Sequence, residues 1–238
     1  MTTPLAIVGH GKMGRLVEQL APEYGFDVRA RFSSSNIATL SRESLRGAAV
    51  AIEFSTPAAA PSNIHTLSTL GVNIVCGSTG WYEQLPQVRS EIAKAGTALL
   101  FGANFSIGMN LFFEIVSRAA ALLADHSEYE AWGWEIHHSA KKDSPSGTLK
   151  KLEQQIHSAG FARPVSLSAS RAGTQVGTHE IGFDSPSDTI TLRHSAKNRE
   201  GYARGALLAA RWILGKQGVF EFREVLADLQ GRTSAAGS

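Results

Sequence analysis

Short apolar runs and helical stretches alternate over the first hundred residues. LAIVG (Leu5–Gly9), FDVRARF (Phe26–Phe32), AVAIEFS (Ala49–Ser55), VNIVCG (Val72–Gly77) and TALLFG (Thr97–Gly102) have strand length. Segments with helical spacing separate them: MGRLVEQLA from Met13, and stretches around Ala59–Leu70 and Tyr82–Ala95. Strands alternating with helices predict right-handed βαβ units and a parallel sheet.

The pattern changes after Asn104. SIGMNLFFEIVSRAAALLA (Ser106–Ala124) reads as a long amphipathic helix, and YEAWGWEIHH (Tyr129–His138) as a strand with Trp132, Trp134 and Ile136 on one face. A helix opening near Ser146 follows. Three strand-like runs come next, PVSLSASRA, GTHEIGFDS and DTITLRHSA, with short Gly, Pro, Ser and Asp connections that suggest an antiparallel sheet. A last helix runs from near Arg199 through ALLAARWIL, and the closing SAAGS is expected to fray. The fold class expected is α/β: a Rossmann-type parallel-sheet domain (residues 1–105 and 199–238) and an α+β domain (106–198) with an antiparallel or mixed sheet.

Composition narrows the function classes. Hydrophobic residues make up 43% of the 238, enough for a packed core. The net charge is only +2 and the cationic residues are dispersed, which argues against nucleic-acid or membrane-surface partners. Cys76 is the single cysteine, so no intrachain disulfide can form and a reducing compartment fits. MTTPLAIVGHG lacks the basic and apolar regions of a signal peptide, and no apolar run approaches the ~18 residues of a membrane span. A cytoplasmic protein is expected.

Candidate chemistry sits in two places. GHGKMG (Gly9–Gly14) fits G-x-G-x-x-G between the first strand and first helix. Gly9 and Gly11 permit a tight turn and close approach of the backbone to a pyrophosphate, and Gly14 permits close packing of helix on sheet. The acidic residue that usually follows ~20 positions later, on the ribose 2′-hydroxyl, is missing between Val28 and Arg42. Arg31, Ser33 and Ser34 could instead surround a 2′-phosphate, or form an ordinary polar loop. STPA (Ser55–Ala58) and GSTGW (Gly77–Trp81) follow strand ends and are candidates for the nicotinamide side, although Thr56-Pro57 could simply cap a helix.

EIHHSAKKDSPSGT (Glu135–Thr148) concentrates titratable groups before a helix-start signal. Pro145 or Ser146 would begin the helix, with Asp143 or Ser144 as cap. Gly147 and Thr148 would then offer backbone N–H groups to a carboxylate, beside His137, His138, Lys141 and Lys142. Basic groups at such a place suit an anionic substrate with a proton donor near it, although a histidine is often structural and a lysine pair often a solvated surface. No metal is expected, because adjacent histidines rarely chelate one ion and no Cys or carboxylate spacing completes a tetrahedron.

The chain resembles the 4-hydroxy-tetrahydrodipicolinate (dihydrodipicolinate) reductase family over nearly its whole length. EIHHSAKKDSPSGT is similar to that family's E-x-H-H-x-x-K-x-D-x-P-S-G-T signature, and GHGKMG, GSTG, ANFSIGMN and REGYARGALLAARWI occur in the expected order. The resemblance implies NADPH or NADH as cofactor, a small cyclic dicarboxylate as substrate, and a homotetramer built through the substrate domains. It implies His137 and Lys141 as proton donors, His138 as a substrate contact, and Gly147-Thr148 as the carboxylate-binding pair. Gly11, Lys12, Met13 and Gly14 match the pyrophosphate turn. Gly77, Ser78 and Thr79 match the loop by the nicotinamide ribose. Ala103, Asn104 and Phe105 match a hinge that also touches the cofactor, and closure over it would bring the nicotinamide to the ring. The missing acidic residue departs from the pattern and leaves the choice between NADH and NADPH open. Two competitors share features with this reading: another two-domain dehydrogenase of amino-acid metabolism, and an NAD(P)-sensing protein without catalysis. Neither has a use for the His-His-Lys-Pro-Ser-Gly-Thr string.

Overall fold

A computed structural model describes residues 2–235, with side chains as far as Gly231. The chain divides into two compact units: residues up to Ile107 with those from Glu200 onward, and Gly108–Arg199.

The first unit holds β1 (Thr3–Val8), β2 (Phe26–Phe32), β3 (Val50–Glu53), β4 (Asn73–Cys76), β5 (Ala98–Phe101) and, from the end of the chain, β10 (Gly218–Glu221). All pair in parallel, in the order β10-β5-β4-β3-β1-β2. Strands β3 and β5 are buried at every position, as expected of a sheet covered on both faces. Alternation along β1 splits its side chains between two cores. Leu5 and Ile7 pack with α1 (Lys12–Leu20) and α6 (Glu200–Trp212), while Ala6 and Val8 pack with α2 (Ala60–Thr69) and α3 (Leu85–Ala95). The order reverses at β1, between β2 and β3, where ligands of open α/β sheets bind beyond the strand ends.

Two features of this unit differ from the sequence expectation. Strand β10 and the following α7 (Phe222–Ala235) lie beyond the last helix foreseen. Four residues, GVFE, are too few to show a period. Helix α7 runs into the closing SAAGS as far as Ala235, and the final three residues lie outside the described ones. The helix around Tyr82 resolves into a 3₁₀ turn, Tyr82–Gln84, and then α3 from Leu85, where Pro86 occupies the first turn.

The second unit contains most of α4 (Ile107–Leu123), then β6 (Glu130–His137), α5 (Gly147–Ser158), β7 (Val165–Arg171), β8 (Gly177–Asp184) and β9 (Thr189–Ala196). The sheet order is β7-β6-β8-β9. The sheet is mixed, within the expectation of an antiparallel or mixed sheet: β6 and β7 pair in parallel, and only β6/β8 and β8/β9 are antiparallel. The cause is α5, which carries the chain back over the sheet and so makes β6-α5-β7 a crossover unit.

Burial on β6 also selects the less apolar face. Trp132, Trp134 and Ile136 share a face but are only half-buried, whereas Ala131, Gly133, Glu135 and His137 are buried. Small residues win there because the helices press on that side. A Cβ at Gly133 would lie 2.8 Å from Leu167 Cδ2 and 3.2 Å from Leu149 Cδ1. The core beneath is formed by Met109, Phe112, Phe113 and Val116 of α4, Leu149, Leu152 and Ile156 of α5, and Ile181 and Phe183 of β8. No helix among the described residues is long and apolar enough to cross a membrane.

Candidate active site

The glycine turn fits a pyrophosphate. Gly9 takes φ +90°, and a Cβ on it would meet the Phe54 carbonyl oxygen at 2.3 Å. At Gly14 a Cβ would meet the Gly9 oxygen at 2.4 Å, so helix and turn touch. Gly11 is the opposite case, with nothing within 4 Å of its missing Cβ. It is the N-cap of α1 and has no side chain to occupy the first amides of the helix. The turn therefore keeps an open, electropositive helix start against which Lys12 and Met13 begin the helix. Amides of Gly9 and His10 donate to the Phe32 carbonyl at 2.9 and 3.0 Å, fixing the turn to the end of β2.

Near the end of β2, Arg31 is exposed, but Glu18 holds it: Nη2 lies 2.6 Å from Oε1. His10 Nε2 takes the other carboxylate oxygen at 2.6 Å. Burial pushes the Glu18 carboxyl up, but the hydrogen bonds from His10 and Arg31 together outweigh it and hold it low. Ser33 is tied into its own loop, its amide donating to Asn36 Oδ1 at 2.6 Å and its hydroxyl lying 2.8 Å from that of Ser35. Ser34 is exposed. Glu18 of α1 thus ties His10 of the glycine turn to Arg31 of β2.

The loops after β3 and β4 share a buried anchor. Glu53 is fully buried at the end of β3. It accepts from the Ser55 amide at 3.1 Å, the Ser55 hydroxyl, Asn63 Nδ2 at 3.2 Å and Cys76 Sγ at 3.2 Å. Burial first, and then Glu53, push the Cys76 thiol well up, so it serves as a neutral donor. Gly77 donates to the Glu53 carbonyl at 2.8 Å, and a Cβ there would strike the Phe54 ring at 2.0 Å. Ser78 is buried, its carbonyl taking Trp81 Nε1 at 2.8 Å, while Thr79 is exposed. Of the last cofactor candidates, Ala103 is exposed and Asn104 Oδ1 accepts from the Ser106 amide at 2.8 Å. Phe105 is only 2% exposed, packed on Phe222 with centroids 4.8 Å apart. Its ring belongs to the core, so only its backbone is left for a ligand.

In the second unit the sheet register assembles what the sequence scatters. Glu135 of β6 lies opposite His179 of β8, His137 lies beside Arg171 of β7, and His179 opposite His194 of β9. Glu135 Oε1 accepts from Arg171 Nη2 and from the Ser146 amide, both at 2.8 Å. Its Oε2 takes the Ser146 hydroxyl and lies 3.2 Å from His179 Nε2 and 3.7 Å from His137 Nδ1. Burial pushes the Glu135 carboxyl up, but the hydrogen bonds from His179, Ser146 and Arg171 prevail and hold it far below the usual range. Burial pushes His137 down to about 4; Glu135 opposes that, and His179, Lys141 and Arg171 add to it.

Glu135, His137 and His179 have the donor types of a metal site and lie within 4.8 Å of one another. Arg171 argues against that use. Its guanidinium and Ser146 already fill the carboxylate, and a dication would face a fixed positive charge.

Helix α5 starts later than the sequence suggested. Ser146, not Asp143 or Ser144, is the N-cap, accepting from the Leu149 amide at 3.1 Å. Pro145 therefore precedes the cap, and Gly147 and Thr148 are the first two helical residues, whose amides the cap does not take. Asp143 lies 2.7 Å from Lys141 Nζ. Lys141, with the backbone N–H groups of Asp143 and Gly147, holds the Asp143 carboxyl below its usual range. The Lys141 amide donates to the His138 carbonyl at 3.1 Å, and His138, just past the strand end, is half-buried and outside the Glu135 cluster. Glu135, Arg171 and His179 escaped sequence reasoning because pairing across β7, β6 and β8 is what unites them. The i, i+2 spacing of Glu135 and His137 on one strand was the available signal.

Both halves of the chain match known proteins. The family model described as "Dihydrodipicolinate reductase, N-terminus" matches residues 3–105, and "Dihydrodipicolinate reductase, C-terminus" matches 108–226. The 4-hydroxy-tetrahydrodipicolinate reductase of Christiangramia forsetii is 32% identical over 94% of this chain and 98% of its own length. That of Rickettsia bellii is 31% identical over 87% of each. Among solved structures, the dipicolinate-bound dihydrodipicolinate reductase from Paenisporosarcina sp. TG-14 shares the fold, with TM-score 0.78 and 22% identity over 93% of this chain and 98% of that one. The chain belongs to the 4-hydroxy-tetrahydrodipicolinate reductase family and is an NAD(P)H-dependent oxidoreductase of lysine and diaminopimelate biosynthesis.

Proposed function

We propose that His137 and Lys141 are the proton donors of this reductase, and that the substrate is held by His138, Lys141 and the amides of Gly147 and Thr148. The observation that carries this reading is convergence on Glu135. The same carboxylate lies 3.7 Å from His137 Nδ1 and accepts from the amide and hydroxyl of Ser146, the residue that opens α5. A carboxylate bound at that helix start therefore comes to rest beside the imidazole. The reductase from Paenisporosarcina sp. TG-14 was solved with dipicolinate bound, which supports a small cyclic dicarboxylate as the ligand class.

In the first unit, Gly9, Gly11, Lys12, Met13 and Gly14 form the turn assigned to the pyrophosphate, with Gly77, Ser78, Thr79 and Ala103–Phe105 assigned to the nicotinamide side. The bound dinucleotide supplies the hydride. The protein's own residues orient the ring and move the proton. Lys141 brings positive charge to the substrate. His137 is neutral at pH 7 in the free protein, as its pKa of about 4 requires. A dianionic substrate raises that value, so the ring takes up its proton as the ligand arrives. Residues 106–198 form the substrate domain in this reading, and 1–105 with 199–238 the dinucleotide domain.

The open sheet face carrying half-buried Trp132, Trp134 and Ile136 supports association into a homotetramer through the substrate domains. A cytoplasmic setting follows from the need for the cell's NAD(P)H pool. Activity is tested by loss of absorbance at 340 nm when the product of dihydrodipicolinate synthase is supplied with NADH or NADPH. His137→Gln should lower kcat ~10²–10⁴-fold and leave NADPH binding intact. Near-normal turnover would remove His137 from the mechanism.

A further inference from the structure

Glu135 touches neither of the ligands in this reading, yet its side chain is fully buried and four donor groups on Arg171, Ser146 and His179 crowd onto it. A buried carboxylate so heavily committed needs an account. Stability alone is a weak one, since buried ion pairs commonly contribute little net stabilisation over apolar packing. We infer that Glu135 is a positioning residue, which fixes the plane and tautomer of the His137 ring and, through Ser146, the helix start bearing Gly147 and Thr148. Proton donor and carboxylate cradle then share one anchor. The inference rests on the reading of His137 as a proton donor.

The geometry carries it as follows. Glu135 and His137 are two apart on β6 and share its buried face. Arg171 and the Ser146 amide hold Oε1, and the Ser146 hydroxyl and His179 hold Oε2, so the carboxylate cannot rotate without breaking bonds on both oxygens. Oε2 lies 3.7 Å from His137 Nδ1, and Nδ1 is buried without a hydrogen-bond partner among the described residues. That distance exceeds a hydrogen bond and closes by a small ring movement, as acid–base contacts do when ligand binds. A carboxylate on the Nδ1 side selects the Nδ1–H tautomer and leaves Nε2 as the working nitrogen. Nε2 lies beside Gly177, where a Cβ would come within 2.8 Å of it, so the absence of a side chain there keeps that edge of the ring clear.

Charge points the same way. The groups facing His137 are Glu135 on its own strand, Arg171 from β7, His179 from β8 and Lys141 from the loop after β6; His194 of β9 in turn faces His179. Glu135 is the one anion among these five. Without it, every ionisable neighbour of His137 opposes an imidazolium.

The test compares Glu135→Gln with wild type and with His137→Gln. Glu135→Gln keeps the shape and one acceptor oxygen but removes the charge. Its kcat should fall ~10- to 100-fold, and the alkaline limb of its kcat/KM profile, on which His137 loses the proton it donates, should move to lower pH. NADPH affinity by calorimetry should stay within about twofold, because that site is built on the other unit. A kcat and pH profile that superimpose on wild type overturn the inference while the proton-donor reading stands. Normal turnover in His137→Gln overturns that reading itself. A second measurement needs no variant to fold: in ¹⁵N-histidine-labelled wild-type protein without ligand, the neutral His137 ring should be the Nδ1–H tautomer. An Nε2–H tautomer there overturns the inference.

Discussion

The guanidinium of Arg31 rests against the carboxylate of Glu18, with 2.6 Å between Nη2 and Oε1. One group comes from the end of β2 and the other from α1, so the cation nearest the expected 2′-position is already engaged. A 2′-phosphate would have to compete with Glu18 for it, whereas a 2′-hydroxyl would not. Glu18→Gln should therefore raise kcat/KM for NADPH relative to NADH, by ~2- to 5-fold, the size expected of an exposed charge pair. An unchanged ratio would show that Arg31 takes no part in cofactor choice. A fall would show that Glu18 aims Arg31 at the phosphate.

Proton uptake should accompany ligand binding. His137 is held down to about 4, first by burial and then by His179, Lys141 and Arg171, so at pH 6 to 7 it enters the complex neutral. A dianion beside it raises the value, and the ring gains a proton from solvent. Calorimetry of pyridine-2,6-dicarboxylate in two buffers of different ionisation enthalpy measures this directly. Uptake should be positive near pH 6 and be lost in His137→Gln. Binding with no proton exchange in the wild-type protein would mean that the ring stays neutral in the complex.

Lys141 and Asp143 should move affinity in opposite directions. Lys141→Ala removes the cation and should weaken pyridine-2,6-dicarboxylate ~10- to 100-fold. Asp143 lies 2.7 Å from that ammonium and next to the Gly147 amide, where it acts as an internal stand-in for the ligand's carboxylate. Asp143→Asn should then tighten binding several-fold, within the ~1 kcal/mol of an exposed pair. Weaker binding in Asp143→Asn would indicate that the aspartate aims the lysine instead of competing for it.

Gly177→Ala offers a purely steric test. The new methyl would sit 2.8 Å from His137 Nε2 and push the ring off the anchor described above. Loss of kcat by at least ~10-fold, with the substrate unit still folded by circular dichroism, is the expected outcome. Unimpaired turnover would mean that Nε2 is not the working nitrogen.

The legibility of this protein in its sequence follows the range of the interactions involved. The parallel sheet was readable because β1 to β5 are short apolar runs separated by helical spacing, and the glycine turn because its three glycines are local. The parallel pairing of β7 with β6 was not, since strand-like runs in succession look alike whether the partner is the next run or an earlier one. A helix start near Ser146 is legible in the sequence, but the role of Ser146 as cap depends on the fold, which sets Glu135 against it. Arg171 and His179 lie 36 and 44 positions from Glu135, and no short-range pattern could join them. Glu18 shows the same limit from the other side. The absent acid after β2 is legible in the sequence, whereas the contact of Glu18 with Arg31 needs the fold.

The order in which this chain emerges from the ribosome has a consequence for how it folds. The first unit is discontinuous: Ala203, Ala206, Leu207 and Ala210 of α6 are fully buried in the same core as Leu5 and Ile7 of β1. At Gly205 a Cβ would stand 1.8 Å from the Phe105 carbonyl oxygen, so the helix seats directly on the chain. A nascent chain stopped at residue 199 has one face of its nucleotide sheet bare of α6, and it stays so while the whole substrate unit is being synthesised. The substrate unit has all its strands and helices by then and can fold first. The amino-terminal half must wait for the residues from Glu200 onward, and in that interval its uncovered apolar face is what a chaperone would meet.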